Sequence, residues 1–163
     1  GLGDVYKRQG IIVKNNKPKL IEYNIRFGDP ECQILMMRLE NDLIRLMLST
    51  FNKKLKNTKI KWSKNPGITI VATNKGYPKG FKKNTEVKGL KDFKGNKNKQ
   101  LFHAGTEINE NGKLIAKGGR VLNSTVVSKS LKKAREEALL ILDKLKWKNK
   151  YYRRDIGFKA IRK

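Results

Sequence analysis

The sequence predicts an α+β fold in which short antiparallel strands combine with two longer helices. Apolar and polar residues alternate over residues 19–27, as in a half-buried strand. Apolar residues recur at three- and four-residue spacing over 36–51 and 131–145, as in amphipathic helices. Asn111-Gly112 separates two short strand-like segments, and both residues tolerate the positive φ of a tight hairpin turn. These patterns indicate antiparallel sheets with helices packed against them.

The first part of the chain, residues 10–57, predicts a hairpin followed by a long helix. Residues 10–13 and 19–27 form the two strands, and the polar segment 14–19 forms the turn. Asp29-Pro30 then begins the helix, because Asp caps helices and Pro suits the first helical position. The helix carries apolar residues at helical spacing and ends around 52–57: Met36, Leu39, Leu43, Leu46 or Met47, and Phe51.

The second part, residues 59–163, predicts a small α+β unit. A basic linker around Trp62 leads to an apolar, β-branched strand at 67–73, and further strands follow at 101–106, 107–110, 113–116 and 121–127. Ser128 or Ser130 caps a second helix. The tail contains a short strand or turn around Asp155.

Composition excludes several classes of protein. One cysteine allows no internal disulfide and fits a reducing cytoplasm, and Cys32 with the lone His103 cannot build a zinc site. No apolar run is long enough for a membrane segment. The net charge of +25 suggests nucleic-acid binding as an alternative function. Lysine, however, outnumbers arginine 30 to 9 and is spread along the chain, so we expect solvated surface lysines and no nucleic-acid partner.

Residues 19–27 carry the strongest chemical signal. Side chains two apart on a strand share a face, so Glu22, Asn24 and Arg26 lie together while Ile21, Tyr23, Ile25 and Phe27 pack into a core. Carboxylate and amide oxygens suit a hard cation, and arginine matches phosphate geometry. This combination fits a magnesium–nucleotide complex. A merely solvated strand face is the alternative, although glutamate and asparagine are poor strand formers.

Five segments of the chain resemble, in order, the motifs of the glycinamide ribonucleotide synthetase family of the ATP-grasp superfamily. They are Glu22-Tyr23-Asn24-Ile25-Arg26-Phe27-Gly28-Asp29-Pro30-Glu31, Asn74-Lys75-Gly76-Tyr77-Pro78, Phe102-His103-Ala104-Gly105-Thr106, Gly118-Gly119-Arg120-Val121-Leu122 and Tyr152-Arg153-Arg154-Asp155-Ile156-Gly157. The resemblance implies the end of an ATP-grasp domain at 10–58 and the family's C-terminal domain at 59–163. It also implies upstream domains that this chain lacks.

The resemblance further implies an ATP-dependent ligase that joins glycine to 5-phosphoribosylamine through a glycyl phosphate, in the cytoplasm. Glu22 and Asn24 are the implied ligands of Mg²⁺ or Mn²⁺. Arg26 is the implied catalytic residue and binds substrate. Asp29 binds substrate, caps the helix, or does both. Another ATP-grasp carboxylate ligase is the nearest alternative, but it lacks the Phe-Gly-Asp-Pro-Glu that follows Arg26 here.

Three further features carry expectations. Residues 1–9 resemble a translated sequencing adapter, and we expect them not to belong to the natural protein. His103 could be a general base, but a hydrogen-bonded structural role is favoured for a single strand histidine. The arginines 120, 153 and 154 could each reach a phosphate or form salt bridges, with salt bridges favoured for the last two.

Overall fold

The computed structural model describes residues 8–24 and 26–161. Most of the segment expected to derive from an adapter, residues 1–7, lies outside them, as does Ile25. The elements in chain order are β1 Arg8–Lys14, β2 Lys17–Asn24, α1 Glu31–Arg38, α2 Leu43–Phe51, β3 Gly67–Asn74, β4 Thr85–Glu86, β5 Lys99–His103, β6 Thr106–Ile108, β7 Leu114–Ala116, β8 Arg120–Val127, α3 Leu131–Lys144, β9 Lys150–Tyr152 and α4 Phe158–Ile161. A short 3₁₀ turn, Leu55–Asn57, follows α2.

The strands of the described residues form three antiparallel sheets. β1 and β2 make a hairpin, β5-β8-β3-β9 make a four-stranded sheet, and β4-β7-β6 make a three-stranded sheet. Asn15 and Asn16, with φ of 51° and 57°, form the turn of the first hairpin. Gly112, with φ of +70°, lies in the loop between β6 and β7. Both predicted hairpins are therefore confirmed.

The four-stranded sheet holds the core. Ile70, Leu122 and Leu142 are at most 1% exposed, and α3 packs across β3 and β8. Helix α3 forms as predicted, because its apolar residues fall on one face and the Ser130 hydroxyl accepts a hydrogen bond from the Lys133 amide at 3.2 Å. Strand β3 presents alternate residues to α3, and its other face receives α1.

The prediction of one long helix after Pro30 is wrong. The helix is divided into α1 and α2 because residues 38–41 pair with the segment around Trp62: Leu39 forms a β-bridge with Trp62, and the Glu40 amide donates to the Lys61 carbonyl at 3.0 Å. Asp42 starts α2 by accepting from the Arg45 amide at 3.0 Å. The tertiary backbone pairing with the Trp62 segment here outweighs the helix propensity of these residues.

The expected capping of the helix by Asp29 is also wrong. Helix α1 begins at Glu31 after Pro30, and no side chain caps it. The Asp29 carboxylate bonds instead to side chains of α1 and β8, described below. Its role in binding substrate stays a prediction.

The apolar face of the first hairpin does not pack into a core in this chain. Ile21 is 66% exposed and Tyr23 is 57% exposed, and none of the described side chains of β1 and β2 is buried. The two strands form a sheet of their own. The alternation predicted which residues share a face, but none of the described elements covers the apolar one. Arg26 also lies beyond the end of β2 at Asn24.

Candidate functional site

The predicted metal ligands lie at the end of β2. Glu22 is exposed and pairs with Gly10 across the hairpin, where a side chain on Gly10 would come within 3.1 Å of the Glu22 Cγ. Asn24 is half-buried and lies two residues further along β2, hence on the same face. The strand thus presents a carboxylate and an amide oxygen side by side.

Arg26 turns back to the same place although it has left the strand. Its Nη1 donates to the Asn24 Oδ1 at 3.0 Å and to the Phe27 carbonyl at 3.1 Å. The guanidinium is exposed, so its other donors can face an anion. The structure therefore brings Asn24 and Arg26 into direct contact. Glu22 lies two residues before Asn24 on the same face of β2.

Asp29 occupies a different position, against the four-stranded sheet. Its Oδ1 accepts from the Gln33 Nε2 at 2.7 Å and from the Asn123 Nδ2 at 3.3 Å. Its Oδ2 pairs with the Arg120 Nη2 at 3.2 Å, and its backbone carbonyl accepts from the Arg120 Nη1 at 2.8 Å. The structure does not bring Asp29 into a hydrogen bond with Glu22, Asn24 or Arg26 among the described contacts. We refer to Asp29, Gln33, Arg120 and Asn123 as the Asp29 junction.

A cleft of about 480 Å³ lies beside this junction. Arg120 and Pro30 line this cleft together with Tyr77, Tyr151 and aliphatic and hydroxyl side chains of β3. Four of the five sequence motifs thus contribute a residue to one cleft, since Arg153 also lines it. A cleft that is mainly apolar and carries a few polar groups is typical of ligand sites.

The remaining candidates form structural contacts. The His103 Nδ1 shares a hydrogen bond of 2.8 Å with the Thr106 hydroxyl, on the exposed side of β5. Arg153 pairs with Asp155 at 2.6 Å, and Arg154 pairs with Asp143 at 2.8 Å. Salt bridges were the favoured interpretation for these two arginines, and the structure contains them.

Asn123 is the partner that sequence reasoning missed. It is fully buried in β8, beside buried Ser124 and Thr125, and its Oδ1 has no hydrogen-bond partner among the described residues. Three consecutive polar residues within the apolar run 121–127 were the available signal, because buried polar groups require partners.

The comparisons with known proteins agree on one family. Residues 67–159 match the family described as "Phosphoribosylglycinamide synthetase, C domain". The chain is 41% identical over 152 residues to a phosphoribosylamine–glycine ligase of Agrobacterium fabrum, covering 93% of this chain and 35% of the relative. It is also 41% identical over 150 residues to the chloroplastic phosphoribosylamine–glycine ligase of Arabidopsis thaliana, covering 91% of this chain and 28% of that protein.

A solved structure supports the same assignment. The crystal structure of phosphoribosylamine–glycine ligase from Thermotoga maritima matches with a TM-score of 0.66 and 25% identity, over 90% of this chain and 35% of that one. The α+β fold predicted from the sequence is thereby confirmed. The chain spans about a third of the length of the bacterial relatives it matches. It belongs to the phosphoribosylglycinamide synthetase family, whose C domain matches residues 67–159.

Proposed function

We propose that this chain is part of an ATP-dependent ligase that joins glycine to 5-phosphoribosylamine and so forms glycinamide ribonucleotide for purine synthesis. The reaction belongs to the complete polypeptide, because the chain spans only 35% of a matched relative. ATP would transfer its terminal phosphoryl group to the glycine carboxylate. The amine of phosphoribosylamine would then attack the acyl carbon, forming the C–N bond and releasing phosphate.

The observation that carries the proposal is the contact between Arg26 and Asn24 at the end of β2, beside Glu22. Phosphoryl transfer is catalysed mainly by positioning and by neutralising charge on the transferred group. Arg26 supplies a fixed positive charge whose orientation is set by the Asn24 side chain and the Phe27 carbonyl. We assign Arg26 the role of neutralising charge on the transferred phosphoryl group, and we place Asp29 near the substrate.

Glu22 and Asn24 fit Mg²⁺ or Mn²⁺ as a partial set of ligands. Among residues 8–24 and 26–161, no cluster of three or more His, Cys, Asp or Glu could enclose a metal ion. An ion held by one carboxylate and one amide would need further oxygens, and Mg²⁺ commonly takes these from water and substrate phosphates. When bound, such an ion would neutralise charge on the ATP phosphates, while Arg26 orients and holds the phosphoryl oxygens.

The test uses the complete polypeptide that contains this chain. ADP release is measured with ATP, glycine and phosphoribosylamine present, and again with each substrate omitted. Glu22→Ala or Asn24→Ala should abolish magnesium-dependent turnover, and Arg26→Ala should lower kcat by about 10³-fold. Lys19→Ala, an exposed residue of the same strand, is the matched control and should retain activity.

Two results would contradict the proposal. Wild-type turnover in the Glu22 or Asn24 variant would remove the metal role. Glycine-independent ADP release, with no glycinamide product, would instead favour another ATP-grasp carboxylate ligase. No helix among the described residues has the length and apolarity to span a membrane.

A further inference from the structure

We infer that Arg120 is a positioning residue, which acts through the Asp29 junction to hold the segment that carries Arg26. As far as it concerns turnover, this inference rests on the proposed ligase function. Its structural part, a loop held by one ion pair and one buried amide, stands on the contacts of this chain alone.

Asp29 is bound from two separate elements. Arg120 and Asn123, both on β8, reach across more than 90 residues of sequence to its carboxylate and its backbone carbonyl. Gln33 adds a contact from α1. A guanidinium that bonds both a carboxylate and the adjacent carbonyl fixes position as well as charge, because its planar donors have set directions.

Asn123 indicates that this binding is specific. The side chain is 0% exposed, its Nδ2 donates to Asp29, and its Oδ1 is unpaired among the described residues. A buried amide with an unpaired oxygen costs free energy that an apolar side chain at the same position would not. Its bond to Asp29 gives the polar residue a role that packing alone does not.

The start of β8 is built to hold Arg120 in place. The Gly105 amide donates to the Arg120 carbonyl at 2.8 Å, and a side chain on Gly105 would come within 2.6 Å of that oxygen. Tyr77 lies against Gly119, where an added Cβ would come within 2.0 Å of the ring. Residues from three motifs therefore close around the backbone next to Arg120, which restricts its movement.

Fixing Asp29 limits where Arg26 can lie. The two residues are three positions apart, so their Cα atoms are separated by at most about 10 Å. The amide of Cys32 also donates to the Gly28 carbonyl at 2.8 Å, which ties the loop to α1. A misplacement of about 1 Å can lower the rate of an enzymatic step about 100-fold. Loss of the junction should therefore slow the phosphoryl transfer that Arg26 is proposed to assist.

The first experiment measures hydrogen exchange in this chain. Arg120→Gln and Asp29→Asn should each speed amide exchange in residues 26–33, including Cys32, by about tenfold or more, while β3 and α3 stay unchanged. Arg154→Gln is the matched control, because it removes an Arg–Asp pair whose aspartate side chain is also 40% exposed. Unchanged exchange in residues 26–33, or equal acceleration in β3, would overturn the inference.

The second experiment measures turnover in the complete polypeptide. Arg120→Gln should lower kcat by about tenfold or more with the KM for ATP within about twofold, because orientation and not ATP binding is lost. Arg120→Lys, which keeps the charge but not the planar donors, should recover part of the loss. Equal impairment of both variants, or an unchanged kcat, would contradict the positioning role. A wild-type polypeptide without ligase activity would refute the proposed function and leave the exchange result standing.

Discussion

The two parts of this chain use similar sequence patterns with opposite outcomes for burial. In residues 8–24 and 26–57 no described side chain is buried, and Phe51 is 88% exposed. In residues 67–161 the central strand β8 is buried from Val121 to Val127, and α3 supplies four buried residues. Both parts contain antiparallel strands and an amphipathic helix.

The difference lies in what covers each sheet. The four-stranded sheet has α3 on one face and α1 against part of the other, so β8 is buried from Val121 to Val127, while alternate residues of β3 stay partly exposed at the cleft. The first hairpin has two strands and no covering layer among the described residues, and an isolated two-stranded hairpin is marginally stable. The two parts therefore differ in how much apolar area they bury and not in whether their strands pair.

The largest effect should come from a cavity in the second part. Leu142→Ala, at a side chain that is 0% exposed, should lower the free energy of unfolding by about 3 kcal/mol. Ile21→Ala, in the exposed hairpin, should change it by less than about 0.5 kcal/mol. Urea denaturation measures both. Similar losses at the two sites would show that the hairpin is buried in solution and would remove the contrast.

The next effect tests the polar side of the same core. Asn74→Ala should cost about 2 kcal/mol, because it leaves the Trp147 indole N–H and the Gly118 carbonyl without their partner. Both hydrogen bonds are 2.9 Å long and Asn74 is 0% exposed. Asn98→Ala, at an exposed loop residue, is the control for urea denaturation and should be close to neutral. A neutral Asn74 variant would mean that apolar packing alone defines this core.

A smaller effect tests how tightly the backbones pack. Gly105→Ala would place a Cβ 2.5 Å from the Gly118 Cα, so one backbone must move, at a cost of about 1–2 kcal/mol. Gly80→Ala has no heavy atom within 4 Å of the added Cβ and should be neutral. Thermal denaturation compares the two. Equal stability of both variants would show that the Gly105–Gly118 contact is loose.

The smallest effect concerns the C-terminal tail and depends on pH. The pKa of Asp143 lies below its ordinary value of 3.8, chiefly because Arg154 and then Tyr152 donate hydrogen bonds to the carboxylate. Since the folded pKa is the lower one, this contribution is complete above the unfolded pKa and is lost as the pH falls through the folded pKa. Asp143 is 40% exposed, so the contribution should stay below about 1 kcal/mol.

Amide exchange in β9 measures this dependence. Lowering the pH from about 5 to about 2.5 should reduce the protection factor, the intrinsic exchange rate divided by the observed one, of the amides in Lys150–Tyr152, and Asp143→Asn should lack this reduction. A reduction that persists in the variant would assign the pH dependence to another carboxylate.

Local patterns predicted α3 and both hairpin turns, whereas the strand expected at 101–106 is divided between β5 and β6. Helix α3 carries its own start signal in Ser130, and the spacing of its apolar residues needs no knowledge of the rest of the fold. Both hairpin turns likewise follow from asparagine and glycine residues that adopt positive φ. In each case the determinant lies within a few residues of the structure that it specifies.

Features that depend on distant partners could not be predicted. The break after α1 requires a pairing of Leu39 with Trp62, and local spacing favours a continuous helix there. The bond between Asp29 and Asn123 joins residues 94 positions apart. Alternation in β2 identified the face that carries Glu22 and Asn24, but it contains no information on what, if anything, covers the opposite face.

The position of α1 has a consequence for recombination between relatives. This helix precedes the matched residues 67–159, yet Ile34 packs so closely on β3 that a Cβ on Gly67 would come within 2.3 Å of its Cδ1. A crossover placed between α2 and β3 would combine a helix from one parent with a sheet from another. Hybrids joined at the Asn15-Asn16 turn would keep α1 and the sheet from the same parent. The segment that should be exchanged as one piece therefore begins upstream of the residues that match the C domain.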